Sequence, residues 1–574
     1  MSAVQRLWEP LACDEARAQA LVQELGIASI TARLLCIRGI SGVDEARRFL
    51  SPSLDDLLDP FALADMGVAV DRILAAIARG ERIAVHGDYD VDGVTSTVIL
   101  RRALELLGAD VMHFIPERLR DGYGLQSASL DRLAAEQVRL VISVDCGIRG
   151  VEAAAHARTL GLDLIITDHH EPDTQLPSAL AVINPKRHDC GYPEKNLAGV
   201  GVALKLVQAL CARSGRAHWV PAFVKVAAIG TLADVVPLTG ENRVIAKLGL
   251  AMLSKGPHKV GLRSLLDVCG LTGREIDGHD IGFVLAPRVN AAGRMSSPDI
   301  AARLLLASDE ALAEEARQLA EQLNAENLRR QQEEAEIVQQ ARQLVETDLE
   351  VGSRSVIVVA GEGWHRGVIG IVASKLVDAF HRPAIVISVD GGLGHGSCRS
   401  IPSFNMLAAL DSCGDAMIKF GGHKQAAGLT IESSRIRELR SRVNDHADEL
   451  LQPDDLRPRI WLDGALGFRA ISEQLVSEMT RLAPFGAGNP RPVFRASRVE
   501  VIDGPRRIKD RHLKMAFRQD GRVIRGVAWR AIERESFVTE HRSAIDLAFS
   551  LEQDTWNGER YMQLSVADFK APES

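Results

Sequence analysis

Residues 82–93 read RIAVHGDYDVDG, a short apolar run that ends in His86, Asp88, Asp90 and Asp92 at every second position. In an extended segment alternate residues point the same way, so four potential cation ligands would leave one strand end together. Carboxylates crowded at such a place repel one another strongly unless cations sit between them. An EF-hand is the rival reading of an Asp-x-Asp-x-Asp-Gly run. It fails because the twelfth position counted from Asp88 is Ile99 rather than Glu, and because the run follows a strand instead of a helix.

The pattern recurs. Leu140–Gly147, LVISVDCG, is a buried-strand run ending in Asp145, and Leu164–Glu171, LIITDHHE, ends in Asp168, His169 and His170. A lone Asp after a strand is usually a helix cap, and a lone His is usually a satisfied polar residue. Repetition on neighbouring strands weighs against both readings, because in open α/β sheets the site lies at the carboxyl ends of the strands. Asp234, within IGTLADVVPL, is an acid in apolar surroundings whose uncompensated burial would be costly. Carboxylates and imidazoles without thiolates favour Mn²⁺ or Mg²⁺ over a structural zinc.

Working outward, short apolar runs alternate with amphipathic segments over residues 71–307, which predicts an α/β domain with a mainly parallel sheet. Its strands are expected at Ile83–Val85, Val111–Ile115, Leu140–Val144, Leu164–Thr167 and Ala181–Ile183. Residues 1–70 read as a helical lead-in without obvious chemistry. Residues 308–348 contain no Gly or Pro and are dense in helix formers, so a long connecting helix should fill the region 308–350. A smaller α/β unit is expected at 351–452, with strands at Ser355–Val359 and Ala384–Ser388, forming the second wall of a cleft. From 453 to 574, alternating stretches such as RPVFRASRVEVID and RYMQLSVADF, with an Asn557-Gly558 turn, predict a small β-barrel.

A chain of 574 residues needs several cores, and 46% hydrophobic with 25% charged residues is the balance of a soluble globular protein. The eight cysteines show no CxxC pair, which predicts reduced thiols and neither a disulfide framework nor a zinc finger. No long uncharged apolar run and no signal-peptide pattern is visible, so a cytoplasmic location away from membranes is expected. A net charge of −8 argues against coating nucleic acid through bulk charge. A local basic patch remains at Arg506, Arg507, Lys509, Arg511, His512 and Lys514.

The residues HGDYDVDG, Asp145 and TDHHE resemble the DHH phosphoesterase superfamily, named for the run found here as Asp168, His169 and His170. The resemblance implies that His86, Asp90, Asp92, Asp145, His169 and Asp234 hold two divalent ions, Mn²⁺ or Mg²⁺, with Asp145, and Asp234 as a second candidate, bridging them. Asp88, Asp168 and His170 would then act beside the metals on water or substrate. Within the superfamily the chain is most similar to the RecJ family, through FIPERLRDGYG (114–124), PRVNAAGRM (287–295), GWHRGVIGIVASKL (363–376), GSCRS (396–400) and GGHKQAAG (421–428). That likeness implies a DHH domain, a connecting helix, a DHH-associated domain and an oligonucleotide-binding barrel. The implied activity is 5′-to-3′ exonucleolytic hydrolysis of single-stranded DNA to 5′-mononucleotides, by a monomer, with a single-strand-binding protein and a helicase as partners. Arg118, Tyr123, Arg288, Arg294, Ser397, Arg399, Gly421, Gly422 and His423 are the expected substrate contacts: donors for phosphate, small residues for close backbone approach, and an aromatic ring for stacking. Two rival readings are a DHH enzyme acting on short oligonucleotides or cyclic dinucleotides, and a non-catalytic DNA-binding replication factor.

Overall fold

In the computed structural model, residues 6–117, 120–122, 124–352, 354–556 and 559–572 are described. The expectations for Arg118 and Tyr123 and for the Asn557-Gly558 turn fall outside them. The chain begins with a short strand β1 (Leu7–Pro10) and the helices α1 (Glu15–Leu25), α2 (Ser29–Ile37), α3 (Val43–Leu50) and α4 (Met66–Ala78). Helix α4 buries Met66, Ala69, Val70, Ile73 and Ala76, the spacing of one helical face. Contacts divide the chain into two units: residues 47–330 with Leu482–Pro490, and residues 1–46, 331–481 and 491–574.

The first unit is built on five parallel strands, β2 (Ile83–His86), β3 (Val111–Phe114), β4 (Leu140–Val144), β5 (Asp163–Thr167) and β6 (Ala181–Ile183), in the order β3-β2-β4-β5-β6. They coincide with the expected strands to within a residue at either end. Helices α5 (Val91–Leu106), α6 (Ser127–Ala135), α7 (Val151–Thr159) and α8 (Gly199–Arg213) cover the sheet. Ile83, Val85, Leu140 and Ile142 pack in one core with residues of α4, α5 and α8, while Ala84, Val141 and Ile166 pack in another with residues of α6 and α7. Coverage on both faces explains why these strands read as continuous apolar runs. The chain passes from β2 to β3 on one side and then to β4 on the other, so the strand order switches where β2 and β4 end. Ligand sites favour such a crevice. Helices α9 (Pro221–Ala233), α10 (Gly240–Lys255) and α11 (Val260–Val268) follow, then a π-helical turn, Asp280–Leu285, that runs into α12 (Ala286–Met295), and α13 (Asp299–Leu306).

Helix α14 (Ala313–Thr347) carries the chain onward. It starts later than the helix predicted from residue 308, because Asp309 caps a separate 3₁₀ turn by accepting from Ala311 N at 3.0 Å. After α15 (Leu349–Gly352), the second unit presents β7 (Ile357–Glu362), α16 (Ile369–Phe380), β8 (Ala384–Asp390), β9 (Leu393–Arg399), α17 (Met406–Asp411), β10 (Lys419–Gly422), β11 (Ala426–Glu432) and α18 (Ile436–Leu450). The sheet order is β10-β11-β9-β8-β7. Strand β12 (Arg459–Leu462) pairs parallel with β1, and β13 (Gly464–Ala465) and α19 (Glu473–Leu482) follow. The expected barrel is β14 (Phe494–Ile508), β15 (His512–Gln519), β16 (Arg522–Ala528), β17 (Ile545–Trp556) and β18 (Glu559–Lys570), with α20 (Glu535–Glu540) between β16 and β17. β17 pairs with both β18 and β14, which closes the five strands into a ring. Of the basic patch, Arg506 pairs with Asp503 and Arg507 with Glu535.

Candidate metal centre

Strand β2 ends at His86, and the acids beyond it are not presented by extended backbone as the alternate spacing predicts. Asp90 caps α5, accepting from Gly93 N at 3.0 Å, so Asp92 already lies in the first helical turn. The cap supplies an acceptor for an otherwise orphan N–H and starts the helix early. The turn is tight enough to require a glycine: a Cβ at Gly93 would lie 2.4 Å from the Asp88 carbonyl. Asp145 follows β4 with φ 60°, a left-handed conformation that Asp tolerates better than most residues. Asp168, His169 and His170 follow β5, and Asp234 is the C-cap of α9.

These side chains converge in three overlapping groups whose ligand-capable atoms lie within 4.8 Å of one another: Asp88, Asp90 and Asp145; Asp92, His169 and Asp234; and Asp145, His169 and His170. Asp145 and His169 each belong to two groups, the arrangement expected of adjacent cation positions with shared ligands. His169 Nε2 stands 3.2 Å from Asp145 Oδ1, 3.7 Å from Asp234 Oδ2 and 4.0 Å from Asp92 Oδ2. Asp145 Oδ1, His169 Nε2, Asp234 Oδ2 and His86 Nε2 are buried without a hydrogen-bond partner. Buried polar atoms are normally satisfied, so such a cluster fits cations. Oxygen and imidazole donors suit Mn²⁺ or Mg²⁺. His86 is fully buried but belongs to none of these groups; its Nδ1 lies 3.8 Å from Cys146 Sγ.

The electrostatics agree. Burial pushes the His86 and His169 imidazoles down to about 4, the latter helped by the neighbouring His170, which favours the neutral form in which an imidazole can bind a cation. Burial, followed by mutual repulsion, raises Asp88, Asp92, Asp145 and Asp234 above the usual carboxylate range. Asp168 behaves differently. It accepts from Ile148 N at 2.9 Å, His169 N at 2.7 Å, His170 N at 3.1 Å and His170 Nδ1 at 2.7 Å. Burial opposes both charges of the Asp168–His170 pair, yet their hydrogen bond holds Asp168 below and His170 above its ordinary value.

Several supporting residues escaped the sequence reading. Gly199 N and Val200 N, at the start of α8, donate to the two oxygens of Asp92 at 2.7 and 2.8 Å, where the helix dipole also favours negative charge. A Cβ on Gly199 would fall 2.4 Å from Asp145 Oδ1, and one on Gly230 would fall 3.0 Å from Asp92 Oδ1. Asn290 Oδ1 accepts from Val91 N at 3.2 Å, and a Cβ on Gly293 would lie 2.7 Å from the Tyr89 carbonyl. Thus α12 braces the Asp88–Asp92 turn. The small-residue runs LAGVGVA and NAAG were the available signal. On the same helix, Arg288 donates to Asn324 Oδ1 at 3.0 Å and to the Val284 carbonyl at 2.6 Å, and Arg294 lies in the last turn.

In the second unit, His395, Ser397 and Arg399 share one face of β9, opposite Thr430, Gly428 and Ala426 of β11, with Lys419 and Gly421 of β10 in the next row. The other face carries Cys398, Leu429 and Ile431 into the core. A Cβ at Gly370, in the first turn of α16, would lie 3.0 Å from Ser397 Oγ and 3.3 Å from Arg399 Nη2. Gly421 and Gly428 are exposed, so the strip between these donors has a floor without side chains. Gly422 has φ 147°, and its Cβ would lie 2.4 Å from the Ala426 carbonyl, the tight hairpin in which His423 N donates to Ala426 O at 2.8 Å.

Comparisons with known proteins bear on all three regions. The DHH family, N-terminal domain, matches residues 82–231; the DHHA1 domain matches 353–449; and the RecJ OB domain matches 462–568. The single-stranded-DNA-specific exonuclease RecJ of Bacillus subtilis is 39% identical over 572 residues, covering 99% of this chain and 71% of that protein. Its Escherichia coli counterpart is 33% identical over 558 residues, 93% of this chain and 94% of that one. Crystal structures of Thermus thermophilus RecJ superpose with a TM-score of 0.83 for the Mn²⁺ complex, at 32% identity over 99% of this chain and 80% of that one, and 0.78 for the Mg²⁺ complex, at 31% identity over 99% and 79%. The chain belongs to the RecJ family of single-stranded-DNA-specific exonucleases.

Proposed function

We propose that this chain removes nucleotides from single-stranded DNA by phosphodiester hydrolysis at a centre of two divalent cations, Mn²⁺ or Mg²⁺. The observation that carries this reading is the overlap of ligand groups through Asp145 and His169. His86, Asp90, Asp92, Asp145, His169 and Asp234 are assigned to hold the ions, with Asp88 beside them. Cations bound there supply a water of lowered pKa and offset charge building up on the phosphoryl group. His170, whose imidazole the hydrogen bond to Asp168 holds above its ordinary value, adds positive charge towards the phosphoryl oxygens when it is protonated. Asp168, its own oxygens engaged by four donors, acts by positioning and charging His170 rather than by touching substrate. Ser397, Arg399 and the Gly421-Gly422-His423 hairpin are assigned to the DNA phosphates, because donors beside an open glycine floor admit a backbone closely. Arg288 and Arg294 are assigned to the same task. The reading extends to a cytoplasmic monomer that meets single-strand-binding protein and a helicase on DNA and starts from the 5′ end. Among the described residues no helix is long and apolar enough to cross a membrane.

End-labelled single strands, duplexes and a dinucleotide incubated with Mn²⁺ test the proposal. Stepwise mononucleotide release from the 5′ end of single strands alone is expected. Cleavage confined to the dinucleotide would place the chain among small-substrate enzymes, and binding without cleavage would make it a replication factor.

A further inference from the structure

The first turn of α10 buries three consecutive polar residues, Glu241, Asn242 and Arg243, at 2%, 0% and 2% exposure. Each reaches a different part of the first unit. Glu241 receives Leu58 N, Lys205 and Tyr192, and Arg243 donates to the carbonyls of Phe49, Leu482 and Ala483. Asn242 is the one that leads to the metal centre. Its Oδ1 accepts from Ala198 N at 3.2 Å, and its Nδ2 donates to Asn196 O at 2.5 Å and Pro237 O at 3.1 Å. Both amide hydrogens and an oxygen lone pair are in use, which fixes the orientation of the group.

Of the two segments that Asn242 joins, one holds the carboxylate of Asp92 through backbone N–H groups and the other follows directly on Asp234. Ala198 is the N-cap of α8 and directly precedes Gly199 and Val200, whose N–H groups grip Asp92. Pro237 lies three residues beyond Asp234, in a segment whose next residue, Leu238, donates its N–H to Ala487 O at 2.8 Å. Between them Val235 holds φ 63°, a conformation a β-branched residue adopts only where its surroundings impose it. Asp92 and Asp234 belong to the same ligand group, with His169.

We propose that Asn242 is a positioning residue of the metal centre: by tying the N-terminus of α8 to the segment after α9, it sets the separation of Asp92 and Asp234 for the cation they share with His169. The inference rests on the two-cation reading above. Outer-shell groups of this kind alter metal affinity without touching the metal.

Mn²⁺ titrations of the full chain followed by electron paramagnetic resonance, alongside thermal melts of the metal-free protein, test it. Asn242→Ala should weaken Mn²⁺ binding about 10–100-fold, with nuclease activity recovering as Mn²⁺ is raised. Glu241→Gln, buried in the same turn but bonded away from the ligands, should lower the melting temperature and leave Mn²⁺ affinity unchanged. Mn²⁺ affinity of Asn242→Ala within about twofold of wild type, or an equal loss in Glu241→Gln, would overturn the proposal. If Asn242→Ala does not fold, Ala198→Pro carries the test. The φ of −64° at Ala198 accommodates the ring, and the change deletes the N–H that Asn242 accepts, so undiminished Mn²⁺ affinity there would also overturn it. A wild-type chain that binds no Mn²⁺ would instead remove the two-cation reading itself.

Discussion

At the scale of single residues, the proposed centre separates groups assigned to hold cations from groups assigned to manage charge. Asp145 serves two ligand groups and carries a buried oxygen with no hydrogen-bond partner. Asp145→Asn should therefore reduce nuclease activity well beyond the roughly 10–100-fold of an outer-shell change and lower Mn²⁺ stoichiometry, as read by a metal titration. Asp168 gives a contrasting case. Its hydrogen bond keeps His170 protonated to higher pH, so Asp168→Asn should return His170 towards its ordinary range. The alkaline limb of kcat/KM would then move to lower pH. An unshifted pH–rate profile would show that His170 does not contribute its charge.

At the scale of elements, the ligands depend on how closely backbones approach. The start of α8 serves as donor to Asp92 and neighbour to Asp145, and it has no room for a methyl group at Gly199. Gly199→Ala should displace one of those carboxylates and lose Mn²⁺ binding while far-ultraviolet circular dichroism stays native; retained binding would mean that the turn relaxes. The same unit contains a buried ion pair, Lys205 Nζ to Glu241 Oε1 at 2.7 Å, completed by Tyr192 and Leu58. Leaving a buried charge without its partner is costly, so Glu241→Ala should lower the unfolding free energy by about 3–5 kcal/mol in urea titration. A loss below about 1 kcal/mol would imply that Lys205 finds water or another acceptor.

At the scale of the whole molecule, the crowded acids make stability, pH and cations one linked problem. Asp88, Asp92, Asp145 and Asp234 have folded-state pKa values raised by burial and repulsion. A raised carboxylate binds its proton more tightly when folded, so its effect favours folding at low pH and is lost as pH climbs from the ordinary carboxylate range through the raised value. The metal-free chain should therefore melt at lower temperature as pH rises across that window. Mn²⁺ should reverse the trend, adding about 2.7 kcal/mol of stability at a free concentration 100 times Kd, and should release protons on binding. Calorimetry in buffers of different ionisation enthalpy reads the protons directly, and equal heats would contradict the raised values.

The run RIAVHGDYDVDG, with Asp145 and TDHHE, was enough to bring the acids and imidazoles together at one sheet edge, because a strand-ending acid repeated on neighbouring parallel strands is a local pattern that chain order preserves. The apolar runs of β2 to β6, the helix-forming stretch of α14 and the alternation of the barrel strands were legible for the same reason: each periodicity is written in consecutive residues. What the folded chain decided is everything that depends on contact between distant segments. The capped turn at Asp90, in place of the expected extended presentation, is also packed by Asn290 and Gly293 from about 200 residues away in sequence. The grip of Gly199 and Val200 on Asp92, and of Asn242 on the start of α8 and on the segment after Asp234, joins residues whose identity is unremarkable in the chain. A glycine or an asparagine carries no signal of what approaches it, since close approach and hydrogen-bond satisfaction are properties of the packed interior rather than of neighbouring letters.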